Sequence, residues 1–238
     1  MKDQYFGDVN DFRKYGLLRA LQAQAPDATT LVAWMLTRAD GTKDGGSRSY
    51  LKKPHKFKRF DEELFDWLNE LFNPPNKKRP LRPHVSLLES SGLLKGTTYY
   101  SAVVPDKQPE RTVWRQGLLK AARKADFVFL DPDNGTEVPS KPVGRKDSSK
   151  YIMWQEIGGL WDAGCSLIIY QHYPHERRAA VTTKLVNKLF ACTGARPVAV
   201  HTSHAVFLLV PQRRHSPLLG KLLSSLWKKW SGQFELHR

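Results

Sequence analysis

The chain has 238 residues, 40% of them apolar, which is enough for one sizeable α/β domain with a real core. Lys and Arg number 38 against 23 Asp and Glu, a net charge of +15; a field of that sign attracts polyanions, and nucleic acid is the expected large partner. No apolar run approaches the length that crosses a bilayer, no N-terminal stretch has the basic-then-apolar order of a signal peptide, and Cys165 and Cys192 have no CxxC spacing, so the expectation is a cytoplasmic protein with no membrane association.

In chain order, Asp8 or Asn10 is placed to cap a helix running to about Gln24. Phe12, Tyr15, Leu18 and Leu21 recur at helical spacing and form its core face, with Lys14 off that face. Pro26 closes the segment, and Thr30 to Leu36 reads as a buried strand. An irregular tract from 37 to 59 follows, with Asp40-Gly41, Asp44-Gly45-Gly46 and the basic residues Lys52, Lys53, Lys56, Lys58 and Arg59; loops of this length usually carry function. Asp61 caps an amphipathic helix that ends at Asn73-Pro74-Pro75.

Val85 to Leu88 is predicted as a short strand ending at Glu89, and Thr97 to Val104 as another, stopped by Pro105. Trp114 to Ala125 reads as a helix, Tyr151 to Trp161 as a second, Leu167 to Tyr170 as a strand, and Glu176 to Ala191 as a third helix. A second irregular basic tract spans 136 to 150. Pro197 to Val200 and Ala205 to Val210 are the last strands, antiparallel because their link is short. Leu218, Leu222, Leu226, Trp227 and Trp230 stripe a terminal helix and are expected to pack on the sheet. Strands alternating with helices predict a single Rossmann-like domain over 1–238, with a doubly wound, mostly parallel sheet and an antiparallel last strand.

The stretch with most chemical content is Phe127-Val128-Phe129-Leu130-Asp131-Pro132-Asp133-Asn134-Gly135. Four apolar residues make a strand buried on both faces, and Pro132 with Asn134-Gly135 stops it. Parallel sheets keep ligands just beyond the carboxyl ends of their strands, so Asp131 and Asp133 are expected at a functional rim. The cleft is expected to collect Lys14, Asp131, Asp133, Asn134, Gln171 and Tyr173.

Three places carry a family resemblance: Gly7-Asp8-x-x-Asp11-Phe12-x-Lys14 on the first helix, Leu130-Asp131-Pro132 at the end of the central strand, and His172-Tyr173-Pro174 after the next. Together they resemble the class I S-adenosylmethionine-dependent methyltransferases, and among them the bacterial large-subunit ribosomal RNA adenine methyltransferases. That resemblance implies transfer of a methyl group to an exocyclic nucleobase amine, with S-adenosylmethionine as cofactor. It implies Asp131, Pro132, Asp133 and Asn134 as catalytic positions, Lys14, Thr37, Gly41 and Glu89 as cofactor contacts, and Gln171, His172 and Tyr173 as substrate contacts. The chain departs from the family in two places. Thr37 to Gly41 has no compact Gly-x-Gly, and Asp133 and Asn134 stand where the family has a second proline and an aromatic.

The alternative is a metal-dependent nuclease, or a binding module that has lost its cofactor, on the same fold. Asp131 and Asp133 would then hold Mg²⁺, with Glu137 and Lys141 completing the site. The pairs His172/His175 and His201/His204 have no cysteine support, and no metal site is assigned to them.

Overall fold

A computed structural model describes residues 1–38, 46–75 and 81–236. Its centre is a seven-stranded sheet in the order β2-β1-β3-β6-β8-β7-β9. Up to the sheet's midpoint the elements are α1 (Val9–Gln24), β1 (Thr30–Ala33), α2 (Pro54–Phe57), α3 (Glu62–Phe72), α4 (Ser86–Glu89), β2 (Thr97–Tyr100), α5 (Gln108–Ala122) and β3 (Phe127–Leu130). There follow β4 (Gly135–Thr136), β5 (Tyr151–Ile152), α6 (Trp154–Asp162), β6 (Ser166–His172), α7 (Arg178–Thr193), β7 (Val198–His201), β8 (Ala205–Val210), α8 (Ser216–Trp230) and β9 (Glu235–Leu236).

β2, β1, β3 and β6 run parallel, and β8 is antiparallel to both β6 and β7. This is the Rossmann-like, mostly parallel sheet expected, with its direction reversed near one edge. Side chains alternate across it. Phe127 and Phe129 face a layer built from α1, α3 and α8, whereas Val128 and Leu130 face α5, α6 and α7. Both faces are covered, which is why the central strands are apolar throughout.

The register aligns the strand ends. Ala33 pairs with Tyr100 on one side and Leu130 on the other, and Leu130 pairs with Ile169. Trp34, Ser101, Asp131 and Tyr170 therefore stand in one row just past that line. From β1 the chain goes to β2 on one side and β3 on the other, so the topological switch point, where such folds bind ligands, lies between β1 and β3.

Three expectations need correction. Val85 to Leu88 is not a strand; the turn α4 forms there, with Val85 and Leu88 both buried. Their spacing of three is helical, but a run of four residues is too short for period to decide. Tyr151 and Ile152 are not helical: they pair as β5 with β4, and the helix starts at Trp154. Trp227 is 61% exposed while Trp230 is 2% exposed, so the terminal stripe turns away from the core at Trp227. The inner face of α8 continues from Leu226 to Trp230, whose ring lies so close to α1 that a Cβ at Gly16 would come within 2.1 Å of it.

Candidate functional site

The motif on α1 builds one wall of the site. Gly7 has φ +78°, and a Cβ there would lie 2.4 Å from the Phe72 ring, so only glycine fits the turn into the helix. Asp8 is the N-cap; its Oδ1 accepts from the Asn10 and Asp11 backbone N–H at 2.8 and 2.9 Å. Asp11 is fully buried, its Oδ2 taking hydrogen bonds from the Gly7 backbone N–H (3.0 Å) and the Tyr15 hydroxyl (2.9 Å). Its Oδ1 accepts from Lys14 Nζ at 3.0 Å.

Lys14 spans from α1 to the sheet. Its Nζ lies 2.8 and 3.0 Å from the two oxygens of Asp131 and 4.3 Å from the centre of the Tyr170 ring. Burial draws the ammonium pKa down, but Asp131, then Asp11, outweigh it, and the net position is well above the ordinary lysine value. For Asp131 burial dominates and raises the pKa, with Lys14 offsetting part of the rise. An ammonium lying across both carboxylate oxygens has the geometry of an ion pair, with both groups charged.

Asp133 lies 2.8 Å from the Met1 amino group and accepts from the Thr37 hydroxyl at 2.7 Å. Burial would push its pKa up, but the Met1 ammonium and Thr37 bring it below the ordinary carboxylate range. The Met1 amino group also donates to the carbonyls of Met35 and Asp131, each at 3.1 Å. Met35, just past the end of β1, has φ +47°, an uncommon conformation for a residue with a side chain.

These groups border a cavity of about 300 Å³. Asp131, Pro132, Asp133 and Asn134 line it from the sheet, Asp8, Asn10 and Lys14 from α1, and Met1, Tyr5, Tyr170 and His172 complete it. Burial, then His204, Lys14 and His175, hold His172 below its ordinary value, so it is a neutral imidazole at pH 7. Asp8 is pushed up to about 7, by burial and then by Asp11.

Of the expected residues, Lys14, Asp131, Pro132, Asp133, Asn134 and His172 meet here. Gln171 does not face the cavity; it lies beneath the turn. Its Oε1 accepts from the Thr136 N–H at 2.8 Å and its Nε2 donates to the Asn134 carbonyl at 2.8 Å. Gly135 (φ +120°) rests on that amide, where a Cβ would approach to 2.2 Å. Tyr173 points elsewhere, with its hydroxyl bonded to His201 Nδ1. Glu89, at the end of α4 rather than of a strand, accepts from Trp34 Nε1 (2.8 Å) and the Ser101 hydroxyl (2.5 Å) and lines neither this cavity nor the next. Gly41 lies outside the described residues. Glu137 accepts from the Trp154 N–H at the start of α6, and Lys141 pairs with Asp147, so neither joins Asp131. Among the described residues no group of three or more His, Cys, Asp or Glu is arranged to hold a metal ion.

Met1, Tyr5, Asp8, Asn10 and Tyr170 were not foreseen as site residues. The signal was present for the α1 residues: Asp8 and Lys14 belong to one short motif, and a helix that brings Lys14 to the sheet brings its own first turn with it.

A second cavity, of about 510 Å³, opens at the carboxyl ends of β1 and β2. Thr37, Arg38, Val104, Asp106, Glu110 and Ser149 are among its walls. Thr37 thus lines the second cavity while its hydroxyl bonds Asp133 of the first, so a hydrogen bond links their walls.

Among the described residues no helix is long and apolar enough to cross a membrane. No protein-family model matches the chain, and no curated protein matches it.

Proposed function

We propose that the chain is a methyltransferase-like enzyme that acts on a nucleobase amine in a nucleic acid, adenine being the base the resemblance implies. The observation that carries this reading is the Lys14–Asp131 pair beside Pro132, at the carboxyl end of the central strand and next to the switch point. The neighbouring space of about 510 Å³ is large enough for S-adenosylmethionine, and its mixed lining offers the Thr37 hydroxyl and the Glu110 carboxylate together with the cations of Arg38, Lys107 and Lys150. When bound, that cofactor supplies a methyl group activated on a sulfonium.

The residues of the chain have a positioning task. An exocyclic amine has its lone pair drawn into the ring. Two acceptors for its N–H groups localise that lone pair, and the Asp131 carboxylate with the Pro132 carbonyl provides them. A carboxylate offers about four lone-pair positions, so Lys14 can hold Asp131 ionised and leave room for an amine. The cavity of about 300 Å³ suits a single base, and Tyr5 and His172 provide planar walls where Asn134 has replaced the family's aromatic. Asn134 is itself held by Tyr151, its Nδ2 donating to the phenol at 2.9 Å. Orientation of this kind supplies much of the rate in such a reaction.

Labelled S-adenosylmethionine incubated with unmodified RNA and DNA tests the reading. Methyl incorporation is expected, and Asp131→Ala should lower it by at least about 100-fold while the protein stays folded, because Lys14 keeps Asp11 as a partner. Equal incorporation by wild type and variant would refute the assignment.

A further inference from the structure

We propose that the outer face of α8, centred on Trp227, is a docking strip for single-stranded nucleic acid, where a base stacks on the indole and lysines take the flanking phosphates. The proposal rests on the nucleic-acid reading of the cleft for the identity of the partner, and the face itself is argued independently.

Trp227 is 61% exposed, on a helix whose apolar residues Leu222, Leu226 and Trp230 are all buried. Lys221, Ser224, Trp227 and Lys228 fall at helical spacing on one exposed side. The helix has no acidic residue, so these cations have no carboxylate on their own element. An exposed indole among lysines and small polar residues is the composition of a sequence-tolerant single-strand platform: every base has a face to stack, and the cations track the backbone. A net charge of +15 gives the long-range attraction the same sign.

A membrane surface fits less well. A helix that lies in a bilayer interface inserts its apolar face, but that face of α8 is already covered by α1: Trp230 sits against Gly16 and against Phe12 at 5.2 Å between ring centres. The carboxyl end of α8 also lies toward the cleft. Arg13 of α1 donates to Gln233, just past α8, at 3.0 Å and to Asn10 at 3.2 Å, and Asn10 lines the cavity that holds Asp131. Gln233 and Asn10, joined through Arg13, are thus the nearest link between the end of α8 and the cavity.

Fluorescence anisotropy of a labelled single-stranded oligonucleotide of mixed sequence, as RNA and as DNA, provides the test. Trp227→Ala should weaken binding by about tenfold or more, and Trp227→Phe should retain most of it. Lys221→Ala with Lys228→Ala should reduce the slope of log affinity against log salt by about 1.4. Binding of S-adenosylhomocysteine, measured alongside, should be the same in all variants. Strand binding by the wild type that Trp227→Ala and the lysine pair leave unchanged would overturn the strip while leaving the cleft assignment intact. A wild type that binds no strand would overturn both. Loss of binding to phosphatidylserine vesicles in Trp227→Ala, with strand binding unaffected, would overturn the strip in favour of a membrane contact.

Discussion

Lys14→Met should destabilise the folded protein by about 3–5 kcal/mol at neutral pH, the usual cost of stranding a buried charge. The side chain is matched in length and apolar, so packing is nearly kept, but Asp131 and Asp11 lose their shared ammonium. Asp11 retains the Gly7 N–H and the Tyr15 hydroxyl; Asp131 is left inside with no cation on its side chain. The pH dependence has a defined sign. In the wild type, the raised pKa of Lys14 gives stability that is complete below the ordinary lysine value and is lost as pH rises through the folded value. In the variant, Asp131 has its pKa raised by burial without Lys14 to offset it. The folded variant then binds more protons than the unfolded chain above the ordinary Asp value, so its stability falls as pH rises through that window. Urea unfolding at about pH 4 and about pH 8 should show the gap to wild type narrowing at the lower pH. Adding Asp131→Asn to Lys14→Met should recover part of the loss. A gap that is constant with pH would contradict the buried pair.

Arg111→Met should have a comparable cost, about 3–5 kcal/mol. Arg111 and Glu156 are each 3% exposed; Nε and Nη2 of the arginine meet the two carboxylate oxygens at 2.6 and 2.7 Å. The guanidinium stacks 4.8 Å over Trp114 and donates to the Tyr151 carbonyl at 2.8 Å, while Glu156 also accepts from the Met153 N–H. The pair thus ties α5 to α6 and to the strand that carries Tyr151. Since the Tyr151 phenol holds Asn134, the effect should reach the cleft as well as the fold. Arg111→Lys should not rescue it, because an ammonium cannot reproduce the planar fork. Glu156→Gln, which keeps an acceptor for Met153, should cost less, about 1–3 kcal/mol. A urea midpoint unchanged by Arg111→Met would show that the pair adds nothing.

Much of the fold was legible because its strands are short apolar runs with unambiguous stops. Phe127 to Leu130 ends at Pro132, and the link from His201 to His204 is too short for anything but an antiparallel return, as β7 and β8 show. The segment at Val85 was misread because four residues give no period, and Glu89 was misplaced with it. Trp227 was misread for the opposite reason: it was counted with Leu226 in one apolar stripe, yet one residue turns a helix by about 100°, enough to carry the indole from the core side to solvent.

At the site, Asp131, Pro132, Asp133 and Asn134 could be placed from the strand's end alone. Lys14 was placed at the site only through the motif it shares with Gly7, Asp8 and Asp11, since its own position on the helix suggested solvent. Gln171 and His172 are the last residues of β6 and Tyr173 follows them, but alternation sends neighbouring side chains to opposite sides. His172 therefore lines the cavity while Gln171 supports the turn below it. Tyr5 and Tyr170 were out of reach, because nothing local says that a tyrosine before α1 and one within β6 border the same space.

The central claim is that the cleft beside Asp131 works with a sulfonium cofactor held at the switch point. Calorimetric titration of the full chain with S-adenosylhomocysteine, and separately with Mg²⁺, tests it most directly. The account predicts saturable one-to-one binding of S-adenosylhomocysteine that is weakened when Thr37 of the second cavity is replaced by valine. No binding of S-adenosylhomocysteine, together with saturable Mg²⁺ binding that disappears in Asp131→Asn and Asp133→Asn, would contradict it and favour metal-dependent chemistry at the same carboxylates.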